Sequence, residues 1–227
     1  MKKLYFISFL IIFTANNIFS QSGWFWQNPL PQGNDLNCIK FINENTGYAV
    51  GYKGTIIKTI DGGSNWIVLN SNSIEILYNV LFVNENIGIV VGERGTVLRT
   101  INGGLNWETI FTMDNSKFNG IYFQNTSTGW ICGYNNNNVH GIIYKTTDSG
   151  VTWKLNFTST YDERFYKIFF LNSDYGFVGS GTSLFKTTNG GVNWLIVNFL
   201  SRSIDFDMVD SLNIIFAGGY TIGSTSH

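Results

Sequence analysis

Segments in which apolar and polar residues alternate recur along most of the chain. In one stretch, Asn79–Asn84 alternates and is followed by the apolar run Gly88–Gly92. A second alternating segment, Thr96–Ile101, comes next, and Trp107–Phe111 follows after one more turn. Strands of about five residues joined by turns of about two to five residues are typical of an antiparallel meander. The pattern therefore predicts a unit of four short strands.

Two motifs repeat in the same order and identify this unit as one of a series. The first is an eight-residue turn sequence ending in tryptophan, here called the box turn. The four box turns are Thr59–Trp66, Thr100–Trp107, Thr146–Trp153 and Thr187–Trp194, and their tryptophans are 41, 46 and 41 residues apart. Upstream of each lies a phenylalanine followed by two spaced glycines, as in Phe41, Gly47 and Gly51. Two motifs with a fixed period predict an array of similar supersecondary units.

The first strand of each repeat predicts how the units stack. Alignment of the repeats places apolar residues in two columns, Ile39, Val80, Ile121 and Ile168, and Phe41, Phe82, Phe123 and Phe170. Residues two apart in a strand share a sheet face, so we expect both columns to be the buried face of stacked sheets. A radially repeated four-stranded unit is a propeller blade. The sequence thus predicts an all-β fold, a β-propeller of four-stranded antiparallel blades, with a solenoid as the alternative.

The repeats divide residues 21–227 into about five blades, the last one incomplete. Complete repeats cover residues 34–72, 73–114, 115–160 and 161–199, and residues 200–227 align with the first part of a fifth. Two interpretations remain open. The chain is a truncated product of a longer propeller, whose remainder could include a sorting or anchoring domain, or Trp24–Gln27 completes a fifth blade and closes a ring.

Residues 1–20 are predicted to be a signal peptide. Lys2 and Lys3 precede the apolar run Leu4–Phe13, and a small residue stands at Ser20. This run is too short for a transmembrane helix, which needs about 20 apolar residues. A basic start, a short apolar run and a small residue are typical of a secretory signal peptide. The alternatives are a core strand or a membrane anchor. We expect an exported protein, periplasmic, cell-surface or extracellular in a bacterium, with no transmembrane segment after signal cleavage.

The composition excludes two classes of protein. The 227 residues include 14 basic and 15 acidic side chains, and 16% of them are aromatic. That aromatic content is too high for a disordered chain. The nearly balanced charge gives no reason to expect a nucleic-acid partner.

The box-turn residues are interpreted as structural. Asp or Asn caps the turn, glycine stands where a side chain would clash, and tryptophan buries a large ring. A catalytic or metal-binding carboxylate would not tolerate replacement by an amide, yet Asp61 and Asp148 alternate with Asn102 and Asn189. The structural set is Asp61, Gly63, Trp66, Asn102, Gly104, Trp107, Asp148, Gly150, Trp153, Asn189, Gly191 and Trp194. No catalytic, cofactor-binding or metal-binding residue is assigned, and no cofactor is expected.

These turns carry a family resemblance. Thr146–Trp153 fits the Asp-box, or BNR, repeat at every specified position, whereas the other three box turns carry Asn for Thr. Together with the phenylalanine–glycine motif of Phe41–Gly51, the chain resembles the photosystem II stability/assembly factor-like propellers found among exported bacterial proteins. The resemblance covers about Trp24 to the C-terminus. It implies a non-catalytic binding or assembly scaffold.

The candidate binding residues lie on the rim opposite the box turns. They are Tyr52, Lys53, Arg94, Lys117, Tyr134, His140, Arg164 and Arg202. The cations among them could attract an anionic partner. The third repeat is longer than its neighbours, and the excess falls in the predicted loop Asn135–His140, which is either a ligand contact or a tolerated insertion. A solvated rim is the alternative for the whole set.

Other residues give weaker signals. Lys58, Arg99, Lys145 and Lys186 recur before the box turns and are expected on an exposed strand face. Asp205, Asp207 and Asp210 could contribute to a calcium site but supply too few ligands. A disulfide between Cys38 and Cys132 is geometrically doubtful.

The resemblance also supplies an enzyme alternative, because sialidases carry Asp-boxes and xyloglucanase-like propellers share the architecture. Sialidase chemistry requires three convergent arginines, and this chain has only four arginines in all. A xyloglucanase-like site requires two carboxylates facing a cleft. Four carboxylates are expected near the rim opposite the box turns, but nothing singles out a pair among Asp35, Glu75, Asp162 and Glu163. The sequence therefore favours an exported, non-catalytic propeller that binds an unknown protein or glycan ligand.

Overall fold

The fold is described from a computed structural model, which covers residues 33–199, 205–208 and 214–217. Blade 1 contains β1 (Leu36–Phe41), β2 (Gly47–Gly51), β3 (Ile56–Thr59) and β4 (Ile67–Leu69). Blade 2 contains β5 (Leu77–Phe82), β6 (Gly88–Gly92), β7 (Val97–Thr100) and β8 (Glu108–Phe111). Blade 3 contains β9 (Ser116–Phe123), β10 (Gly129–Asn135), β11 (His140–Thr146) and β12 (Lys154–Asp162). Blade 4 contains β13 (Phe165–Phe170), β14 (Gly176–Ser180), β15 (Ser183–Thr187) and β16 (Leu195–Phe199).

Each blade is an antiparallel meander, and the four blades stand in a ring as a β-propeller. The strands of every blade pair in chain order, and a fifth, two-stranded sheet pairs β17 (Asp205–Met208) with β18 (Ile214–Ala217). The first strands contact one another in succession, β1 with β5, β5 with β9 and β9 with β13, and β17 contacts β13. First strands therefore lie innermost. The predicted all-β propeller is confirmed. Among the described residues, the one helical segment is the short 3₁₀ turn Tyr52–Gly54.

Blade 3 is taller than its neighbours. Its strands have 8, 7, 7 and 9 residues, whereas those of blade 2 have 6, 5, 4 and 4. The extra residues of the third repeat were expected in a loop at Asn135–His140. Instead they lengthen the β10–β11 hairpin, because Asn135 pairs with Ser116 and His140 pairs with Asp162.

Neighbouring blades pack through aromatic residues of the second strand. The ring of Tyr48 stacks on Phe82 with centroids 3.9 Å apart, and Trp130 stacks on Phe170 at 4.1 Å. The ring of the box tryptophan packs edge-on against the same phenylalanine, as Trp107 does against Phe82 with centroids 6.0 Å apart. In blade 2 the box tryptophan thus packs on the same phenylalanine that stacks against the preceding blade.

The expectation of a buried first-strand face is correct in part. In blades 2 to 4, Val80, Ile121 and Ile168 are 0%, 8% and 3% exposed. In blade 1, the expectation is wrong for Ile39 and Phe41, which are 54% and 45% exposed. The physical reason is that no blade within the described residues packs against this face.

The recurrent cations of the third strands were expected on an exposed face, and this expectation is also wrong. All are half-buried, and three of them donate to a backbone carbonyl in the box turn of the next blade. The bonds run from Lys58 Nζ to Gly103 O at 3.0 Å, from Arg99 Nε to Ser149 O at 3.0 Å, and from Lys145 Nζ to Gly190 O at 3.3 Å. These side chains therefore connect consecutive blades.

We expect Arg99→Met to lower the free energy of unfolding by about 1 kcal/mol, because a half-buried charged donor is lost while the apolar stem remains. Urea denaturation followed by tryptophan fluorescence measures the change. Lys154→Met on the exposed outer strand β12 is the matched control and should change stability by less than about 0.5 kcal/mol. Equal effects of the two substitutions would contradict the inter-blade role.

Candidate functional site

The two rims of the propeller are built from different turns. The box rim holds the box turns and the turns between the first and second strands, which are joined in each blade by a hydrogen bond such as Gly62 N to Asn45 O at 2.9 Å. The link rim holds the turns between the second and third strands and the links between blades, joined by bonds such as Gly54 N to Glu75 O at 2.8 Å. Every predicted binding residue that the structure describes lies on or beside the link rim.

Within the box turn, threonine and the Asp or Asn residue form a closed hydrogen-bond network. In the first box, the Thr59 hydroxyl donates to Asp61 Oδ1 at 2.8 Å and accepts from Gly63 N at 2.9 Å. The N–H of Asn65 donates to the same Oδ1 at 2.8 Å. The other three boxes repeat this pattern, with Asn102 and Asn189 accepting through Oδ1 in the same way. One side-chain oxygen is thus sufficient for the turn, which is why an amide can replace the carboxylate.

The second carboxylate oxygen gives the Asp boxes one extra bond. Asp61 Oδ2 accepts from Asn65 Nδ2 at 2.7 Å, and Asp148 Oδ2 accepts from the Thr152 hydroxyl at 2.6 Å. Desolvation raises the pKa of Asp148, but the hydrogen bonds from the hydroxyl and N–H of Thr152 outweigh it and lower the pKa to about 2. Hydrogen bonds from Asn65 likewise lower the pKa of Asp61.

The box glycines and tryptophans are held by packing. Gly63, Gly104, Gly150 and Gly191 have φ between 78° and 92°, a region that disfavours other residues. A Cβ on Gly150 would also lie 2.6 Å from the Ile89 side chain of the preceding blade. Trp107, Trp153 and Trp194 are at most 7% exposed, whereas Trp66 in blade 1 is half-buried.

We expect Asp148→Asn to destabilise the fold at pH 7, because the charged acceptor of the Thr152 hydroxyl is lost. Since Asp148 is largely exposed, solvent screening limits the effect to about 0.5 kcal/mol. The folded pKa is depressed, so this stability is present above the unfolded pKa of about 4 and is lost as the pH falls towards 2. Chemical denaturation at pH 7, 4 and 2 should show the two proteins converging, and a difference that stays constant would contradict this role.

On the link rim, two of the predicted cations bind carboxylates of the same chain. Arg94 donates to Asp114 at 2.8 Å and approaches Glu75 at 3.9 Å. Lys117 pairs with Glu93 at 2.9 Å, and Glu93 also accepts from the Tyr78 hydroxyl at 2.5 Å. Burial and then Glu93 raise the pKa of Tyr78 to about 12. These two cations are therefore largely neutralised.

The other predicted rim residues are less engaged. Arg164 is exposed and lies over the Tyr134 ring, 5.3 Å from its centroid, and no carboxylate within the described residues pairs with it. Tyr52 and Lys53 are exposed, and His140 is half-buried within hydrogen-bonding distance of Asn138. Arg202 lies outside the described residues. The structure thus brings Tyr134 and Arg164 together but does not join all the cations into one patch.

A channel that the repeat pattern did not predict runs along the first strands. This space of about 570 Å³ is lined by residues of β1, β5, β9 and β13. Three tyrosines and two lysines are among its lining residues, and no carboxylate is. The described residues that line the channel are Asn37, Cys38, Lys40, Tyr78, Asn79, Leu81, Gly120, Ile121, Tyr122, Tyr166, Lys167, Ile168 and Phe169. The sequence does carry a signal for this channel. Two positions before the Ile39 column, the residue type changes between Asn and Tyr, whereas the Ile39 column stays aliphatic; the changing residues are Asn37, Tyr78, Asn119 and Tyr166.

Amide side chains fix the wall of this channel. Asn37 Nδ2 donates to Leu77 O at 2.8 Å, Asn79 Nδ2 to Asn119 O at 3.1 Å, and Asn119 Nδ2 to Phe165 O at 2.8 Å. Each bond joins the first strand of one blade to that of the next. The wall is therefore a preformed surface.

Glu163, one of the carboxylates considered for catalysis, makes a structural contact. Glu163 is 4% exposed and accepts from the hydroxyls of Ser183 at 2.6 Å and Thr182 at 3.0 Å, so it connects blade 4 to the link before it.

Cys38 and Cys132 are free thiols. Within residues 33–199 and the two strands β17 and β18, no cluster of three metal-ligating side chains occurs. Asp205 and Asp207 lie in β17, and Asp210 lies outside the described residues.

Within residues 33–199, 205–208 and 214–217, no helix has the length and apolar character needed to cross a bilayer. The predicted signal peptide, residues 1–20, lies outside them.

Comparison with known proteins identifies relatives of this fold. The family model described as photosynthesis system II assembly factor YCF48 matches residues 18–154. No curated protein matches the sequence.

Solved structures share the architecture at low identity. A structure titled "YCF48 bound to D1 peptide" is 18% identical, with a TM-score of 0.47, and covers 74% of this chain and 83% of that one. An ancestral GH74 enzyme is 19% identical, with a TM-score of 0.60, over 71% of this chain and 24% of its own length. Saccharomyces cerevisiae Sqt1 is 12% identical, with a TM-score of 0.59, over 81% and 57%. The likeness to the last two is one of fold.

Proposed function

Because the chain belongs to the photosynthesis system II assembly factor YCF48 family, we propose that it is an exported, non-catalytic scaffold. Its partner is a protein or a glycan at the cell surface or outside the cell. The family description, an assembly factor, favours a protein as the partner. Binding rather than turnover is the task of such a scaffold.

The channel is the observation that supports this proposal most. Its volume of about 570 Å³ lies in the range of small-ligand sites and suits one short segment of a partner. Tyrosine faces offer apolar contact, and the exposed Lys40 supplies positive charge beside them. The hydrogen-bonded asparagines hold the wall in place, so little conformational entropy is lost on binding. The channel therefore suits an uncharged or acidic segment of the partner.

The proposed site extends onto the link rim at Tyr134 and Arg164. Stacking on Tyr134 holds the Arg164 guanidinium in one orientation while its N–H groups remain exposed. An arginine held in this way can bind a carboxylate with two parallel hydrogen bonds. Arg94 and Lys117 contribute less, because both are bound to carboxylates of the chain.

Export rests on the N-terminal sequence, and it gives a direct prediction. We expect secretion from a bacterial host with cleavage near Ser20, because Lys2, Lys3 and the run Leu4–Phe13 form a signal peptide. Mass spectrometry of the purified protein should find a mature N-terminus near Gln21. Leu10→Arg, which interrupts the apolar run, is the control and should retain the protein in the cytoplasm. Secretion of uncleaved protein, or cytoplasmic accumulation of the wild type, would contradict export.

Partner binding at the channel can be tested by site-specific crosslinking. We expect a photo-crosslinking amino acid at Lys40, an exposed channel residue, to capture a partner in the exported fraction, whereas one at Lys154 on outer strand β12 should not. Lys40→Glu should then weaken the isolated complex by about tenfold, since a cation is replaced by an anion. Anisotropy with the identified partner measures the affinity.

Two outcomes would contradict the proposal. Capture at Lys154 alone would place the partner on the outer wall instead. Hydrolysis in a pooled glycan assay that disappears in Asp162→Asn or Glu163→Gln would restore the glycoside hydrolase alternative, which requires a carboxylate pair.

A further inference from the structure

The box rim exposes aliphatic side chains at two positions of the box turn. The second position carries Ile60 in blade 1 and Ile101 in blade 2, which are 69% and 64% exposed. The sixth position carries Leu105, Val151 and Val192, which are 70%, 48% and 67% exposed. The box turns are held rigidly by their threonine and Asp or Asn networks. Repeated, fixed and exposed aliphatic groups on one rim are the composition of a contact surface.

Exposed carboxylates stand beside these aliphatic groups. Glu44, Glu85 and Asp174 lie in the turns between the first and second strands of blades 1, 2 and 4, and all three are exposed. Each of these turns accepts a hydrogen bond from the box turn of its own blade. The bonds run from Gly62 N to Asn45 O at 2.9 Å, from Gly103 N to Asn86 O at 2.9 Å, and from Gly190 N to Asp174 O at 3.0 Å. One carboxylate and one or two aliphatic side chains therefore form a single unit in each of these blades.

The turns that carry these carboxylates hold no positive charge of their own. The turns between first and second strands and the box turns contain no lysine or arginine. Lys58, Arg99 and Lys145 donate to box-turn carbonyls, which holds them half-buried between blades. Lys186 lies over the Tyr175 ring in blade 4, and the exposed Lys40 lines a pocket with Glu85 at the border between this rim and the channel. The box rim is therefore apolar and acidic, in contrast to the tyrosine- and lysine-lined channel.

We propose that the box rim of blades 1, 2 and 4 is a second docking surface, and that it binds a basic, amphipathic segment of a partner protein. Leucine-like side chains of the segment contact the aliphatic tips, and its lysines or arginines pair with Glu44, Glu85 and Asp174. Blade 2 carries the most complete unit, because Glu85, Ile101 and Leu105 all belong to it. The carboxylates disfavour an anionic lipid surface, which like charge would repel. None of the box-rim residues named here lines the channel, and Lys40 borders both, so one scaffold can hold two partners at once.

The test uses a synthetic lysine–leucine amphipathic peptide as the probe, with a glutamate–leucine peptide of the same pattern as its counterpart. Fluorescence anisotropy should show the lysine peptide binding at least about tenfold more tightly, with the affinity falling as salt rises. Glu85→Gln should weaken binding about threefold or more, and the double variant Ile101→Thr, Leu105→Ser should weaken it about tenfold. Thr147 and Ser64 occupy these two positions in other boxes, so the double variant should fold normally.

Matched controls lie on the opposite rim. Tyr52→Ser and Glu75→Gln remove an exposed ring and a carboxylate there, and should leave the affinity for the peptide unchanged. Equal binding of the two peptides, an equal effect of the link-rim variants, or binding to anionic phosphatidylglycerol vesicles that the double variant abolishes would each overturn the proposal. A photo-crosslinking amino acid at Tyr166, which lines the channel but not the pocket beside Glu85, reports on the channel alone, so failure of one surface is distinguishable from failure of the other.

Discussion

In blades 2 to 4, the box turn closely approaches the second strand of the preceding blade, and the propeller depends on this contact. A Cβ on Gly104 would lie 3.1 Å from the Tyr48 ring, one on Gly150 would lie 2.6 Å from Ile89, and one on Gly191 would lie 3.0 Å from Trp130. Because these glycines also have positive φ, both the backbone conformation and the packing require them. The Tyr48 hydroxyl adds a bond to Gly103 O at 2.8 Å. Blade spacing, and with it the position of the first strands, follows from this contact.

The same contact restricts where function can lie. The repeated chemistry of the box turn is used for structure: its threonine and its Asp or Asn oxygen form hydrogen bonds within the turn, and its glycine and tryptophan pack against neighbouring side chains. Residues that vary between repeats are free of that demand, as at Asn37, Tyr78, Asn119 and Tyr166. Of these, Asn37, Tyr78 and Tyr166 line the channel. Binding chemistry in this fold is therefore expected where the repeats differ, while the repeated residues supply the rigid frame.

Periodicity allowed the fold to be predicted from the sequence, but it failed wherever a partner came from another repeat. The box turns and strand order were predictable because they depend on residues within one repeat. The half-buried state of Arg99 was not, since its acceptor, Ser149 O, is 50 residues away. Exposure of Ile39 could not be read from its column, because the column does not say what covers the first blade. Lengthening of blade 3 was mistaken for a loop, since Asn135–His140 has the composition of one.

The box residue that alternates between Asp and Asn separates structure from charge. Both residues offer Oδ1 to the backbone, so the turn forms equally in all four blades. Only the second terminal atom differs, and in Asp61 and Asp148 it is satisfied locally by the residue four positions on. The lowered pKa keeps both carboxylates ionised, and both are exposed, so Asp61 and Asp148 add negative charge to the box rim. Further negative charge comes from Glu44, Glu85 and Asp174, which the box turns position without depending on them for stability. Surface charge on this rim can therefore change from blade to blade while the fold stays the same.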